Sequence, residues 1–206
     1  MSRVFVYLMT ILVCTLVVPG ERAYAEDIDH LAGERIYSED FSQESLERTE
    51  KKIEVLKEQL TPPLAHQLPT VELAFQRVKR GSLKVSLEQV EMLADLLLEG
   101  KDPFEGKKGD FFKAYRSEVD STLQPYRIFI PSSYGNGQHF PLLVALHGYQ
   151  DTEEAYFDEE RYGKGEIKGY AEERGYLIVC PYGRGNSGYK ELGENDVLRV
   201  ICVESH

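Results

Sequence analysis

The sequence predicts an α/β fold, in which a β-hairpin and a βαβ unit follow a small helical region. Leu142–Leu146 is an unbroken apolar run, which favours a strand buried on both faces over one with a solvated face. Tyr176–Cys180 is a second apolar run, and a short helix closed by Gly175 is predicted between the two at Glu166–Arg174. Strand, helix and strand of these lengths are typical of a crossover between two parallel strands.

Composition and charge limit the function classes. The chain has 206 residues, of which 42% are hydrophobic and 29% are charged, enough for one domain with a core and a small second module. The net charge of −11 argues against a nucleic-acid or anionic-membrane partner, because both require basic patches. The sequence does not indicate an oligomeric state.

Residues 1–25 have the parts of a secretory signal peptide. Arg3 gives a positive start, Val4–Val18 is the apolar segment, and a small-x-small cleavage site ends at Ala25. The apolar segment is shorter than the roughly 20 residues of a membrane span. We therefore expect a secreted or periplasmic protein that is cleaved after Ala25 and has no integral membrane span after cleavage.

Residues 26–105 are predicted to form a helical region with three short amphipathic helices. Each helix has an N-cap residue at its start and a proline or glycine at its end. The start and end positions are Ser42 and Pro62, Thr70 and Gly81, and Ser86 and Gly100. Ser86 also forms a capping-box pair with Gln89. Because the apolar stripes are short, we expect them to pack within the chain rather than in a coiled coil.

The pattern changes from helix to strand at Gly106–Gly109. This basic linker is taken as the boundary of a second domain, residues 106–206. Phe112–Val119 and Leu123–Ile130 have strand-like composition, and the Asp-Ser-Thr triplet between them favours a turn. The two segments are therefore predicted to form the hairpin that precedes the βαβ unit.

No cofactor and no metal site is predicted. His139 and His147 flank the first apolar strand, but no carboxylate stands at ligand spacing from them. After removal of the signal peptide the cysteines are Cys180 and Cys202, and Cys180 is predicted to be a small buried residue at a strand end. A disulfide between them is compatible with an exported protein, and the sequence leaves that pairing open.

Four segments of the second domain occur in an order and spacing that point to a known family. They are Tyr126–Pro131, Leu143–Tyr149, Cys180–Gly185 and Gly193–Val197. With them, residues 111–201 resemble the opening half of an α/β-hydrolase. More narrowly, the chain is similar to secreted esterases related to feruloyl esterases and polyhydroxybutyrate depolymerases, and to prolyl-oligopeptidase-like exported hydrolases. The resemblance implies an exported serine hydrolase that acts on a small-molecule carboxylic ester or peptide.

The resemblance also implies an oxyanion-binding loop directly after the first apolar strand. In that family the loop after the third strand supplies a backbone N–H that stabilises the tetrahedral intermediate. Carried over to this chain, the donors are the backbone amides of Gly148 and Tyr149, and His147 orients the loop. The acyl group or peptide of the substrate is not identified by these residues.

The catalytic triad is predicted to be absent from this chain, because the family places it after a fifth strand that the sequence does not reach. Ser187 stands in Gly-Asn-Ser-Gly-Tyr, which lacks the last glycine of a nucleophile elbow. Asp196–Ile201 is predicted to begin a helix, and Cys202–His206 does not continue it in the way the family would, which indicates a truncation or a frameshift. We therefore expect an inactive N-terminal fragment with an apolar, aggregation-prone sheet edge at Leu142–Leu146.

An alternative function stays open on these residues: a non-catalytic exported binding module. In this alternative the helical region or an aromatic pocket binds a protein or carbohydrate partner. The aromatic residues expected around the pocket are Tyr149, Tyr156, Phe157, Tyr162 and Tyr182.

Overall fold

The structure, a computed structural model, describes residues 42–82, 84–135 and 139–204. The predicted signal peptide and the first part of the predicted helical region lie outside these ranges. A four-stranded sheet with helices packed on it follows a set of helices, so the predicted mixed α/β class is confirmed. No helix within the described ranges is long and apolar enough to span a membrane.

The described part of the helical region contains one short helix more than the sequence predicted. The four helices are α1 Gln43–Gln59, α2 Pro62–Ala65, α3 Leu68–Lys79 and α4 Leu87–Leu98. Pro62 follows the end of α1, as predicted, but it also begins α2, because proline is favoured in the first turn of a helix. α3 begins slightly before Thr70, with Pro69 in its first turn.

The caps predicted at Ser42, Ser86 and Gly100 are present, but the N-cap predicted at Thr70 was wrong, because α3 begins at Leu68 and its N-cap residue is Gln67. The Ser42 hydroxyl accepts a hydrogen bond from the Ser45 amide at 3.2 Å, and Ser86 and Gln89 form both arms of the capping box that starts α4. After α4, Gly100 has a φ of 74°, a left-handed conformation that glycine adopts without a steric penalty. Its amide and the next one bond back to carbonyls of the last turn, which ends the helix in a Schellman motif.

The sheet has the strand order β1-β2-β4-β3. The strands are β1 Gly109–Arg116, β2 Leu123–Ile130, β3 Leu142–Val144 and β4 Leu177–Pro181. β2 is antiparallel to both β1 and β4, whereas β3 is parallel to β4. The crossover contains α5 Ala155–Asp158 and α6 Glu166–Arg174, and α7 Leu192–Glu204 follows β4. The predicted hairpin and the predicted βαβ unit are therefore confirmed.

The prediction that Leu142–Leu146 is a strand buried on both faces was wrong. β3 covers Leu142–Val144 only, its three residues are half-buried, and Leu146 is 41% exposed. The reason is position in the sheet: among the described residues β3 pairs with β4 alone and lies at the sheet edge. An edge strand has fewer neighbours to cover its side chains than a central strand of the same composition.

Two predicted boundaries also differ from the structure. β1 begins at Gly109, which pairs with Ile130, so the strand lies earlier than the predicted Phe112–Val119. α7 begins at Leu192, before the predicted start at Asp196. It continues through Cys202 to Glu204, and the Cys-Val-Glu sequence contains no glycine or proline that would end a helix.

Both faces of the sheet are covered by helices. On one face the strand residues Tyr115, Tyr126, Ile128 and Val179 pack against Val200 of α7. On the other face Phe129, Ile178 and Cys180 pack against Phe157 and Ala171, from the crossover. The helices α1, α3 and α4 share a third apolar cluster, which extends to Phe112 of β1. The helical region therefore packs against the hairpin end of the sheet.

Thr70 of α3 closes the outer edge of β1. Its buried hydroxyl lies 3.0 Å from the amide of Ala114, from which it accepts, and 3.3 Å from the carbonyl of Ala114, to which it donates. Ala114 lies opposite Pro125 in the hairpin, and the Pro125 carbonyl accepts from Tyr182 beside β4. The polar groups of Ala114 thus point away from β2, and Thr70 satisfies both of them.

Thr70→Val is expected to lower the free energy of unfolding by about 1–3 kcal/mol, because it preserves the shape but leaves two buried backbone groups without partners. Urea unfolding of the two proteins measures the difference. Thr61→Val is the control, since Thr61 is exposed and makes no side-chain capping bond; a change under about 0.5 kcal/mol is expected. Equal losses in both variants would contradict the role assigned to Thr70.

Candidate functional site

The chain beyond β3 turns at a buried histidine. His147 is 4% exposed, and its two ring nitrogens lie 2.9 Å from the carbonyl oxygens of Gly148 and of Tyr182. The hydroxyl of Tyr189 donates to the His147 carbonyl at 3.3 Å. The imidazole and its backbone therefore join the end of β3 to the loop that follows β4.

A tight turn follows at positions 148–151. The Asp151 amide donates to the Gly148 carbonyl at 3.2 Å, and Gln150 carries the positive φ of the turn, 65°. Gly148 itself has no positive φ. A Cβ atom at Gly148 would lie 2.7 Å from the Tyr162 hydroxyl oxygen and 3.0 Å from an Asp151 carboxylate oxygen. The turn thus requires glycine at this position for lack of space rather than for its backbone conformation.

One amide of this turn is left open. The Gly148 amide donates to the Tyr162 hydroxyl at 3.2 Å, and the Gln150 amide donates to the Asn186 side chain at 2.6 Å. The Asp151 amide closes the turn itself. Among the described residues the Tyr149 amide has no hydrogen-bond partner, and Tyr149 is 74% exposed. The turn therefore leaves one N–H donor without a partner in the described part of the chain.

The hydroxyl that holds Gly148 is itself held by a buried carboxylate. Tyr162 donates to Asp151, whose side chain is 2% exposed and also pairs with Arg161. The Tyr162 ring packs on Tyr156 with ring centroids 4.6 Å apart. The Gly148 amide is consequently fixed by a side chain that has little freedom to move.

The loop after β4 is anchored by Arg184, which sequence reasoning missed. Arg184 has a φ of 66° and pairs with Asp120 of the hairpin turn and with Asp196 of α7. The Asp196 carboxylate is 2% exposed and also accepts from the Tyr115 hydroxyl at 2.6 Å. These residues lie far apart in the sequence and no motif relates them, so no local pattern indicates the contact.

The contacts around Arg184 shift the pKa values of Arg184 and of two neighbouring side chains. Hydrogen bonds from Arg184 hold the pKa of Asp120 well below its usual range. The hydrogen bond to Asp120 raises the pKa of Arg184, burial opposes this shift, and the hydrogen bond to Asp196 adds to the increase. Burial, and then the hydrogen bond to Asp196, raise the pKa of Tyr115. Asp120 and Arg184 are therefore ionised at neutral pH, and Tyr115 keeps its proton.

The other reactive side chains have structural contacts. The Ser187 hydroxyl donates to the Gly183 carbonyl at 2.7 Å and accepts from the Tyr189 amide at 3.2 Å, so it closes a turn. Cys180 is buried and Cys202 is exposed, and the two are not joined in a disulfide. Within the described residues no group of histidine, cysteine and acidic side chains is arranged to hold a metal ion.

Comparison with known proteins finds structures but no family. No protein-family model and no curated protein matches the chain. Similar solved structures include an S-formylglutathione hydrolase from Agrobacterium tumefaciens (22% identity, TM-score 0.31), a ferulic acid esterase (23%, 0.31) and the fluorophosphonate-binding serine hydrolase F of Staphylococcus aureus (18%, 0.35). The alignments cover 35%, 40% and 47% of this chain and 24%, 33% and 40% of the matched chains. The chain thus spans less than half the length of these three proteins.

The Asp120 pair predicts a pH-dependent loss of stability. Because the folded-state pKa of Asp120 lies below its unfolded value of about 3.9, the pair stabilises the fold above that pH and its contribution is lost as the pH falls further. Asp120→Asn is therefore expected to be less stable than the parent protein at about pH 7, with a difference that shrinks toward about pH 3. Urea unfolding across this pH range measures it.

Asp95→Asn is the matched control for this measurement. The Asp95 carboxylate is 50% exposed and, within the described ranges, pairs only with Lys52, so Asp95→Asn should change the stability less at neutral pH. A difference between Asp120→Asn and the parent that stays constant with pH would show that the Arg184 pair does not act through the ionised carboxylate.

Proposed function

We propose that this chain carries the oxyanion-binding part of an exported serine hydrolase that acts on carboxylic esters or peptides. In this proposal the Tyr149 amide is the hydrogen-bond donor, and Gly148 and His147 position it. The observation that carries the proposal is the free Tyr149 N–H in a turn whose neighbouring amides are both bonded. It stands directly beyond a strand parallel to β4, at the end of a sheet where ligands of α/β proteins bind.

The reaction needs such a donor because charge develops on one oxygen. A serine hydroxyl gives its proton to a general base and attacks the carbonyl carbon of the substrate, and the π electrons of the C=O bond move to the carbonyl oxygen. That oxygen would accept a hydrogen bond from the Tyr149 N–H. When the intermediate collapses, the base returns the proton to the departing alcohol or amine, and the acyl-enzyme that remains is hydrolysed by water to the acid and the free serine. Removing one donor of this kind typically costs about 3 kcal/mol of transition-state stabilisation.

The bonds around Tyr149 support a fixed donor. Gly148 is held by Tyr162 and Gln150 by Asn186, so the amide between them needs no rearrangement when charge appears. His147 is assigned a positioning role, because both of its ring nitrogens face backbone carbonyls rather than open space. A neutral imidazole donates to one of these carbonyls at a time, and neither nitrogen is left for proton transfer to a substrate.

The nucleophile is proposed to lie outside the 206 residues of this sequence, so the chain alone should not turn over esters. The sequence contains no Gly-x-Ser-x-Gly pattern, and the hydroxyl of Ser187 closes a turn. Export is part of the same proposal and rests on the composition of residues 1–25. Cleavage after Ala25 would be detected as the mature N-terminus by mass spectrometry of the secreted product.

The test of the oxyanion site uses an anion with the shape of the tetrahedral intermediate. Ethyl methylphosphonate is titrated into the 15N-labelled chain, and the amide shift of Tyr149 is expected to exceed the shifts of Gly148 and Gln150. Tyr149→Pro removes the N–H at a turn position that accepts proline and should abolish the binding. Tyr149→Ala keeps the N–H and should retain it. Equal binding by these two variants would contradict the proposal.

The assignment of Ser187 has its own assay. p-Nitrophenyl acetate is expected to hydrolyse no faster with the chain than in buffer, and Ser187→Ala should leave that rate unchanged. Turnover that disappears in Ser187→Ala would place the nucleophile in this chain and overturn that part of the proposal.

A further inference from the structure

A cavity lies where the helical region meets the hairpin. Its volume is about 260 Å³, and it is lined from α3, α4, β1, β2, the segments before α4 and before β1, and Glu154 of the crossover. Ligand cavities occur preferentially where two structural regions meet. None of the groups proposed to bind the oxyanion takes part in it.

The floor of the cavity is apolar and aromatic. The rings of Phe104 and Phe111 stack with centroids 5.5 Å apart. Phe112 and the buried Leu93 also line the space, and Met92 at its rim is 54% exposed. A planar apolar group could therefore be covered on one side by rings and on the other by α4.

The charged wall of the cavity is positive, although the whole chain has a net charge of −11. Its cations are Arg77, Lys84, Lys107 and Arg127, against the carboxylates of Asp110 and Glu154. Three of these cations have a carboxylate partner: Arg77 pairs with Glu153, Lys84 with Glu154, and Arg127 with Asp110. The exception is Lys107, which decides the charge of the ligand.

Lys107 has no carboxylate partner among the described residues. Its ammonium lies 4.9 Å from the centroid of the Phe111 ring and 5.1 Å from that of Phe104. Desolvation by its surroundings lowers the pKa of Lys107, so the charged ammonium is less stabilised here than in water. An anion placed beside it would restore the missing partner.

We propose that this cavity binds a small monocarboxylate with a flat apolar body. The carboxylate pairs with the Lys107 ammonium, and the body lies on the Phe104 and Phe111 rings. One negative charge matches the single cation without a partner, and the volume admits one ring with its substituents rather than a lipid chain. This site does not depend on the proposed hydrolase function, because it shares no residue with the turn at His147.

The test is calorimetric titration of the chain with benzoate, with benzyl alcohol as the neutral match and acetate as the anion without a ring. Benzoate should bind most tightly of the three. Lys107→Met preserves the length of the side chain and removes its charge. It should weaken benzoate binding about tenfold and leave benzyl alcohol unchanged, which also verifies that the variant is folded.

Lys101→Met is the control, because the Lys101 side chain is 65% exposed and pairs with Glu99. It should not change benzoate binding. Equal weakening in the Lys101 and Lys107 variants would overturn the proposal, as would benzoate that binds no better than benzyl alcohol. Tighter binding of hexanoate than of benzoate would contradict the flat body assigned to the ligand.

Discussion

The pairing of Arg184 with Asp196 is the contact on which the geometry of the β3 end depends. The Asp196 carboxylate is 2% exposed and the Arg184 side chain 17%, so both charges need the partner that the other provides. Removing one member of a buried pair costs about 3–5 kcal/mol in general, since the remaining charge is left unpaired. Arg184 also pairs with Asp120, so one guanidinium joins α7, the hairpin turn and the loop after β4. That loop carries the Tyr182 carbonyl, which holds the imidazole of His147.

The turn beyond His147 is held in place by several side-chain hydrogen bonds rather than by the sheet. β3 has a single neighbour among the described residues, and its last ladder bond runs from the Ala145 amide to the Val179 carbonyl at 2.8 Å. Beyond Ala145 the backbone is held by side chains: Tyr162 on Gly148 and Asn186 on Gln150. These bonds can fix the position of a backbone donor only if the side chains that make them are themselves held in place. The buried carboxylate of Asp151 supplies this for Tyr162.

Much of the fold follows from local sequence signals, whereas the contacts that shape the candidate site do not. Ser86 and Gln89 form their capping box within four adjacent positions, and Gly100 ends α4 by its own conformational freedom. The apolar runs before His147 and before Pro181 likewise predict two strands, because strand propensity is read over a few residues. The burial of Leu142–Leu146 could not be predicted in this way, since it depends on where the strand lies in the sheet. Arg184 pairs with Asp120 and Asp196, which lie far from it in the sequence, so its role can be recognised only from the folded positions of the hairpin and α7.

The two outer edges of the described sheet differ: the edge at β1 is covered, and the edge at β3 is open. This difference explains why the turn after β3 needs side-chain bonds to other elements. At β1 the hydroxyl of Thr70 satisfies the amide and carbonyl that face outward from Ala114, and the helical region covers this edge. At β3 no described element pairs with the outer side, and Leu146 and Tyr149 are exposed at the same end. An open edge with apolar side chains favours association with other chains. The strand that orients the free amide is thus the least supported part of the sheet. The bonds made through His147 and Arg184 offset this by tying the turn to the better-packed β4 and α7.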